Sequence, residues 1–104
     1  MLKTLAREEE FNSFLENNKL VLVKFFTTWC SPCQELQKNL ENLLLEKKDL
    51  TILEVDAEKF SGLAQRPIFS VRSVPSLFLF RQGEMIKKAN GNMSVEQLKL
   101  FVDS

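Results

Sequence analysis

Hydrophobic positions along this chain follow two spacings, and each spacing implies an element type. From Leu20 to Phe26 the apolar residues run almost unbroken, with Lys24 the one charged residue among them. A run of that length suits a strand, and apolarity on successive residues suits a central strand covered on both faces. Residues 50–55 repeat the pattern, and residues 77–80 give a third strand. Arg81-Gln82-Gly83-Glu84 then reads as a tight turn into a fourth strand over residues 85–88, which makes the last two a hairpin. Elsewhere the spacing is helical. Phe11, Phe14 and Leu15 share one face of a helix over residues 7–15, ended by Asn17-Asn18. Cys33, Leu36, Leu40, Leu43 and Leu44 recur at helical intervals. Pro32 suits the first turn of that helix, where its missing N–H costs little, and Lys47-Lys48 suit its end. Residues 58–65 form a short helix stopped before Pro67. Ser94 and Gln97 have the spacing of a capping box, which opens a last helix with Leu98, Phe101 and Val102 inward. Residues 1–5 leave room for a short first strand.

The order is helix, strand, helix, strand, helix, strand, strand, helix. Early alternation implies parallel crossovers and the late hairpin an antiparallel edge, so the expected class is α/β, with a central mixed sheet of four to five strands. The length of 104 residues fits one domain over residues 1–104. Hydrophobic residues make up 44% and charged residues 27%, which is the balance of a globular chain. Phe11, Phe14, Phe25, Phe26, Phe78, Phe80 and Phe101 read as core, and Glu8-Glu9-Glu10 as a solvated helix face. Fourteen basic residues cancel fourteen acidic ones, so nothing in the charge favours nucleic acid or an anionic membrane. The longest apolar segments are strand-sized, too short to span a membrane. The first residues, turning acidic at Glu8, lack the apolar run of a signal peptide, and the expected location is cytoplasmic.

The candidate chemistry lies in Trp29-Cys30-Ser31-Pro32-Cys33. The chain has two Cys and no His. That removes an imidazole base and leaves a zinc site short of ligands. Two cysteines are also too few for the framework of a disulfide-stapled secreted domain. A strand delivers Cys30 to a helix start, where orphan N–H groups and the positive end of the helix dipole favour a thiolate over a thiol. Cys33 follows about one turn later on the inward face, and the two can close a disulfide with little backbone movement. On this reading Cys30, the more exposed, attacks, and Cys33, the more buried, resolves. Two other readings stand beside it: four cysteines pooled around a metal or cluster in a dimer, and two inert core thiols.

Here the chain resembles the thioredoxin family over nearly its whole length. Trp29 precedes Cys30 as in the family, and Val74-Pro75-Ser76 matches its cis-proline segment. Val55-Asp56, the turn from Phe80 to Glu84, and Gly91 fall at family spacing. The resemblance implies a thioredoxin fold, with helices on both faces of the sheet, and a thiol–disulfide oxidoreductase that reduces protein disulfides. It implies no cofactor beyond the Cys30–Cys33 disulfide, no metal, and a thioredoxin-reductase-type electron donor. Trp29, Ser31, Pro32, Val74, Pro75 and Gly91 would form the substrate-binding surface, with the Val74 backbone pairing with an extended substrate. A binding module without turnover and a more oxidising exchanger with a dedicated partner are the alternatives.

Three departures from the family qualify the resemblance. Ser31 stands where Gly is usual. Lys38 replaces a kinking proline, so a straighter helix is expected. Lys24, six residues before Cys30, replaces a buried Asp that helps move protons to and from the resolving Cys. An ammonium roughly 6 Å from a thiolate stabilises it by up to about 3 kcal/mol at an effective dielectric of about 20, which would make Lys24 a pKa-tuning residue. A neutral buried amine would act as a base instead. Glu54 on the neighbouring strand is a candidate ion-pair partner that would blunt both effects, and a snorkelling Lys24 would have neither.

Overall fold

The structure, a computed structural model, describes residues 1–103. The expected strands form and join one sheet. β1 (Leu2–Thr4), β2 (Leu20–Phe26), β3 (Thr51–Asp56), β4 (Ser76–Arg81) and β5 (Glu84–Asn90) lie in the order β1-β3-β2-β4-β5. β3 runs parallel to both β1 and β2, while β4 is antiparallel to β2 and β5. The sheet therefore has five strands and includes the short first one. The β4–β5 turn places Gln82 and Gly83 at φ 51° and 84°. Positive φ at both central residues gives a two-residue hairpin turn the twist that matches the strands, and Gly83 adopts it without strain.

Side-chain alternation along the strands splits the core in two. On one face Val21, Val23, Phe25, Leu53 and Val55 pack with Phe11, Leu15 and Leu63 from α1 (Phe11–Asn17) and α3 (Ser61–Ala64). On the other, Leu22, Ile52, Leu77 and Leu79 pack with Leu36, Leu40 and Leu43 of α2 (Ser31–Glu46) and Leu98 and Val102 of α4 (Val95–Asp103). The capping box forms at the start of α4: the Gln97 N–H donates to Ser94 Oγ at 3.1 Å, and Gln97 Oε1 accepts from the Ser94 N–H at 2.9 Å. α2 runs unbroken with Lys38 within it.

Several details differ from expectation. A 3-10 turn over Glu8–Glu10 precedes α1, which runs on to Asn17. The helix expected over residues 58–65 contracts to Ser61–Ala64. Its first residues are taken by Asp56, whose Oδ1 accepts from the N–H groups of Glu58 and Lys59, a local turn that competes with the helix. Phe14, Phe26 and Phe101 are only partly buried, whereas Phe60 and Phe69, absent from the expected core, are buried.

Phe69 holds a central place among the aromatic rings. Its ring lies 5.1 Å from Phe25, 5.0 Å from Phe78, 5.7 Å from Phe11 and 6.1 Å from Phe80, between centroids. It thus pins the irregular stretch before β4 to the sheet. Phe69→Leu is expected to cost about 1.5 kcal/mol through lost ring contacts and an incompletely filled site. A lower urea midpoint at unchanged slope would show this; an unchanged midpoint would remove Phe69 from the core account.

Candidate active site

β2 ends at Phe26, and a tight turn closed by the Cys30 N–H on Thr27 O (3.4 Å) brings the chain to the start of α2. Cys30 has extended backbone and is the N-cap of α2, with Ser31 and Pro32 in the first turn. Its Sγ accepts the Cys33 N–H at 3.1 Å, the bond that a serine or aspartate oxygen makes at most helix starts. Cys30 and Cys33 are joined in a disulfide with a Cα–Cα distance of 5.3 Å, inside the ordinary range for such bonds. The two sulfurs do not differ in exposure as expected: Cys30 is 3% exposed and Cys33 4%. In this oxidised pair the asymmetry therefore lies in position along the helix rather than in access.

The surroundings of the pair have two sides. On one, Trp29 is 69% exposed, with its Nε1 donating to Glu58 Oε1 at 3.1 Å. Trp29, Val74 and Arg72 line the same shallow hollow of about 170 Å³. The Val74–Pro75 peptide bond is cis, as the resemblance implied. The Pro75 carbonyl accepts the N–H of Gly91, which has φ 85°. Trp29 and Val74 thus share one hollow, and Gly91 lies against Pro75. Ser31 and Pro32 are exposed at the helix start.

On the other side a cavity of about 470 Å³ borders both cysteines, Lys24, Glu54 and Gln37. Lys24 does not snorkel: it is 2% exposed, on the α2 face of the sheet. The parallel register sets Lys24 directly beside Glu54. Lys24 Nζ donates to Glu54 Oε2 at 2.9 Å, to Gln37 Oε1 at 3.0 Å and to the Cys33 carbonyl at 3.2 Å. Three acceptors match the three N–H groups of an ammonium and leave no place for the lone pair of a neutral amine. The charge that Lys24 brings under the redox pair is matched by a carboxylate at contact distance.

The sequence points to Glu54 as the partner, but it carries no signal for Gln37, whose exposed neighbours on α2 look alike in the sequence. Among the described residues, no cluster of three or more His, Cys, Asp or Glu is placed to hold a metal.

A mixed sheet that delivers a Cys-X-X-Cys disulfide to a helix N-terminus defines a thiol–disulfide oxidoreductase. The thioredoxin family model matches residues 3–104, and the chain belongs to the thioredoxin family. It is 37% identical over 103 residues to the thioredoxin of Chlamydia pneumoniae, covering 99% of this chain and 97% of that one. It is 35% identical over 91 residues to thioredoxin-1 of Schizosaccharomyces pombe, covering 88% and 86%. Among solved structures, a mutant thioredoxin from Halobacterium salinarum superposes with a TM-score of 0.87 at 29% identity, covering 98% of this chain and 88% of that one. The activity that fold, disulfide and relatives establish together is protein-disulfide reduction.

Proposed function

We propose that Cys30 is the attacking nucleophile and Cys33 the resolving thiol of this reductase. The observation that carries the assignment is the N-cap: Cys30 Sγ already accepts a backbone N–H at the positive end of a 16-residue helix. That donor and the dipole favour a sulfur anion at Cys30 over one farther into the helix. In the dithiol state the Cys30 thiolate attacks one substrate sulfur, and the other substrate sulfur leaves and takes a proton. Cys33 then loses its proton and attacks Cys30 in the mixed disulfide, releasing the second substrate thiol. Two electrons pass from the cysteine pair to the substrate, one proton comes from the Cys33 thiol and one from solvent, and the Cys30–Cys33 disulfide forms.

The docking surface for protein disulfides is the side bearing Trp29, Val74, Pro75 and Gly91, with Ser31 and Pro32 at its edge. An exposed Trp next to the nucleophile supports that reading, because Trp offers large contact area at low conformational cost. Lys24 tunes the pair through the Cys33 carbonyl that it holds, in balance with Glu54. A flavin-dependent reductase of the thioredoxin-reductase type returns the disulfide to the dithiol, and the cytoplasm, a reducing compartment, suits a pair that must be re-reduced.

Insulin reduction driven by dithiothreitol tests the reading. Catalytic amounts of the protein are expected to bring forward the precipitation of insulin B chain relative to dithiothreitol alone. A time course identical to the reagent blank would leave the chain a binding module.

A further inference from the structure

Three separate stretches build the docking side: the residues before β4 that carry Val74 and Pro75, the residues after β5 that begin with Gly91, and α2, which carries Cys33. The Gly91 N–H on the Pro75 carbonyl (2.9 Å) joins the first two by one backbone bond. Two asparagine side chains add the rest. Asn39, on α2, donates through Nδ2 to the Met93 carbonyl at 2.8 Å and to Asn92 Oδ1 at 3.3 Å. Asn90, the last residue of β5, donates through Nδ2 to Ser73 Oγ at 3.0 Å and to Ser76 Oγ at 3.1 Å. Ser76 Oγ in turn donates to the Ser73 carbonyl at 2.6 Å.

A carboxamide nitrogen carries two N–H groups, so one side chain can tie two points at once, and both asparagines do so. Asn90 holds Ser73 and Ser76, the residues on either side of the Val74–Pro75 pair. Asn39 holds the stretch after Gly91 to the helix of the redox pair. Neither contributes to the apolar clusters, and Asn90 is exposed.

We propose that Asn39 and Asn90 are positioning residues for substrate docking, which lock the Val74 and Gly91 stretches to α2 as one prearranged face. A partner that meets such a face does not bear the cost of ordering two loops, so the ties act on association with a protein disulfide. A small disulfide needs the sulfurs and little of the face. This inference rests on the docking surface proposed above and adds the residues that hold it in shape.

The test compares rates of reduction of insulin and of a small nitroaromatic disulfide by Asn39→Ala and Asn90→Ala. The ratio of the insulin rate to the small-disulfide rate is expected to fall at least about fivefold in each variant, since each loses two hydrogen bonds and a single one is worth about that factor. Hydrogen exchange at Gly91 and Asn92 is expected to quicken in Asn39→Ala. A ratio equal to that of the unaltered protein overturns the proposal, whether both rates hold or both drop together. Should Asn39→Ala fail to fold, Asn90→Ala at the exposed strand end carries the same test. Val74→Asp separates this proposal from the reading beneath it. If Val74→Asp leaves the ratio unchanged, the docking surface itself is misplaced. If it lowers the ratio and the asparagine variants do not, only the positioning role falls.

Discussion

Cys33→Ser, mixed with an oxidised protein substrate, is expected to accumulate a covalent complex that dithiothreitol releases. Cys30→Ser is expected to form no such complex, and both variants are expected to turn over at the reagent background. The asymmetry follows from the start of α2. Cys30 Sγ accepts the Cys33 N–H there and sits where the helix dipole favours negative charge, so it supplies the attacking anion. Once Cys30 is bound to substrate, release needs a second sulfur about one helical turn away, and serine cannot supply it. Non-reducing electrophoresis with mass analysis of the linked peptide reads the outcome. A complex linked through Cys33 in the Cys30→Ser variant, and none in the other, would reverse the assigned roles.

The second large effect concerns the buried charge pair. Lys24 and Glu54 have side chains only 3% and 9% exposed and lie 2.9 Å apart. Removing one partner of such a pair leaves the other charge buried and uncompensated, which costs about 3–5 kcal/mol, whereas replacing both by apolar residues is often neutral or stabilising. Glu54→Gln is therefore expected to lose stability on that scale, and the double variant Lys24→Leu with Glu54→Leu to recover most of it. The same change has a redox consequence. Without Glu54 the ammonium acts on the dithiol unopposed, favours a thiolate, and stabilises the reduced state. Two unit charges about 6 Å apart interact by about 3 kcal/mol at an effective dielectric of about 20, which sets the upper bound. For a two-electron couple, that raises the potential by up to about 60 mV. Trp29 is the only Trp and adjoins the disulfide, so its fluorescence can follow the titration. A potential unmoved in Glu54→Gln would show that Lys24 exerts no field on the pair and is purely structural.

The strands and the cysteine pair are legible in the sequence because each repeats a short-range pattern. The continuous run of β2, the helical interval from Cys33 to Leu43, and the Ser94–Gln97 spacing all depend on neighbours a few residues apart. The pairing of Lys24 with Glu54 is also accessible, since two charges in adjacent apolar strands have few other partners. Phe69 is not, because residues 65–75 follow no helical or strand period and only the fold brings its ring against Phe11, Phe25 and Phe78. The short α3 departs from its pattern because the Asp56 side chain competes for N–H groups that a helix would have begun with. The equal burial of the two cysteines is not legible either, because exposure depends on what the fold packs around each sulfur rather than on sequence neighbours. Asn39 and Asn90 give no signal at all, since an asparagine that ties distant loops looks the same in sequence as one facing water.

The register that sets Lys24 beside Glu54 also constrains how the sequence can drift. A carboxylate at position 24 with a cation at position 54 would give the same neutral sum under the redox helix. Yet each single step toward it buries two like charges side by side. The two arrangements are separated by a valley of poorly folded intermediates, so descent through them requires paired changes or a passage through uncharged residues.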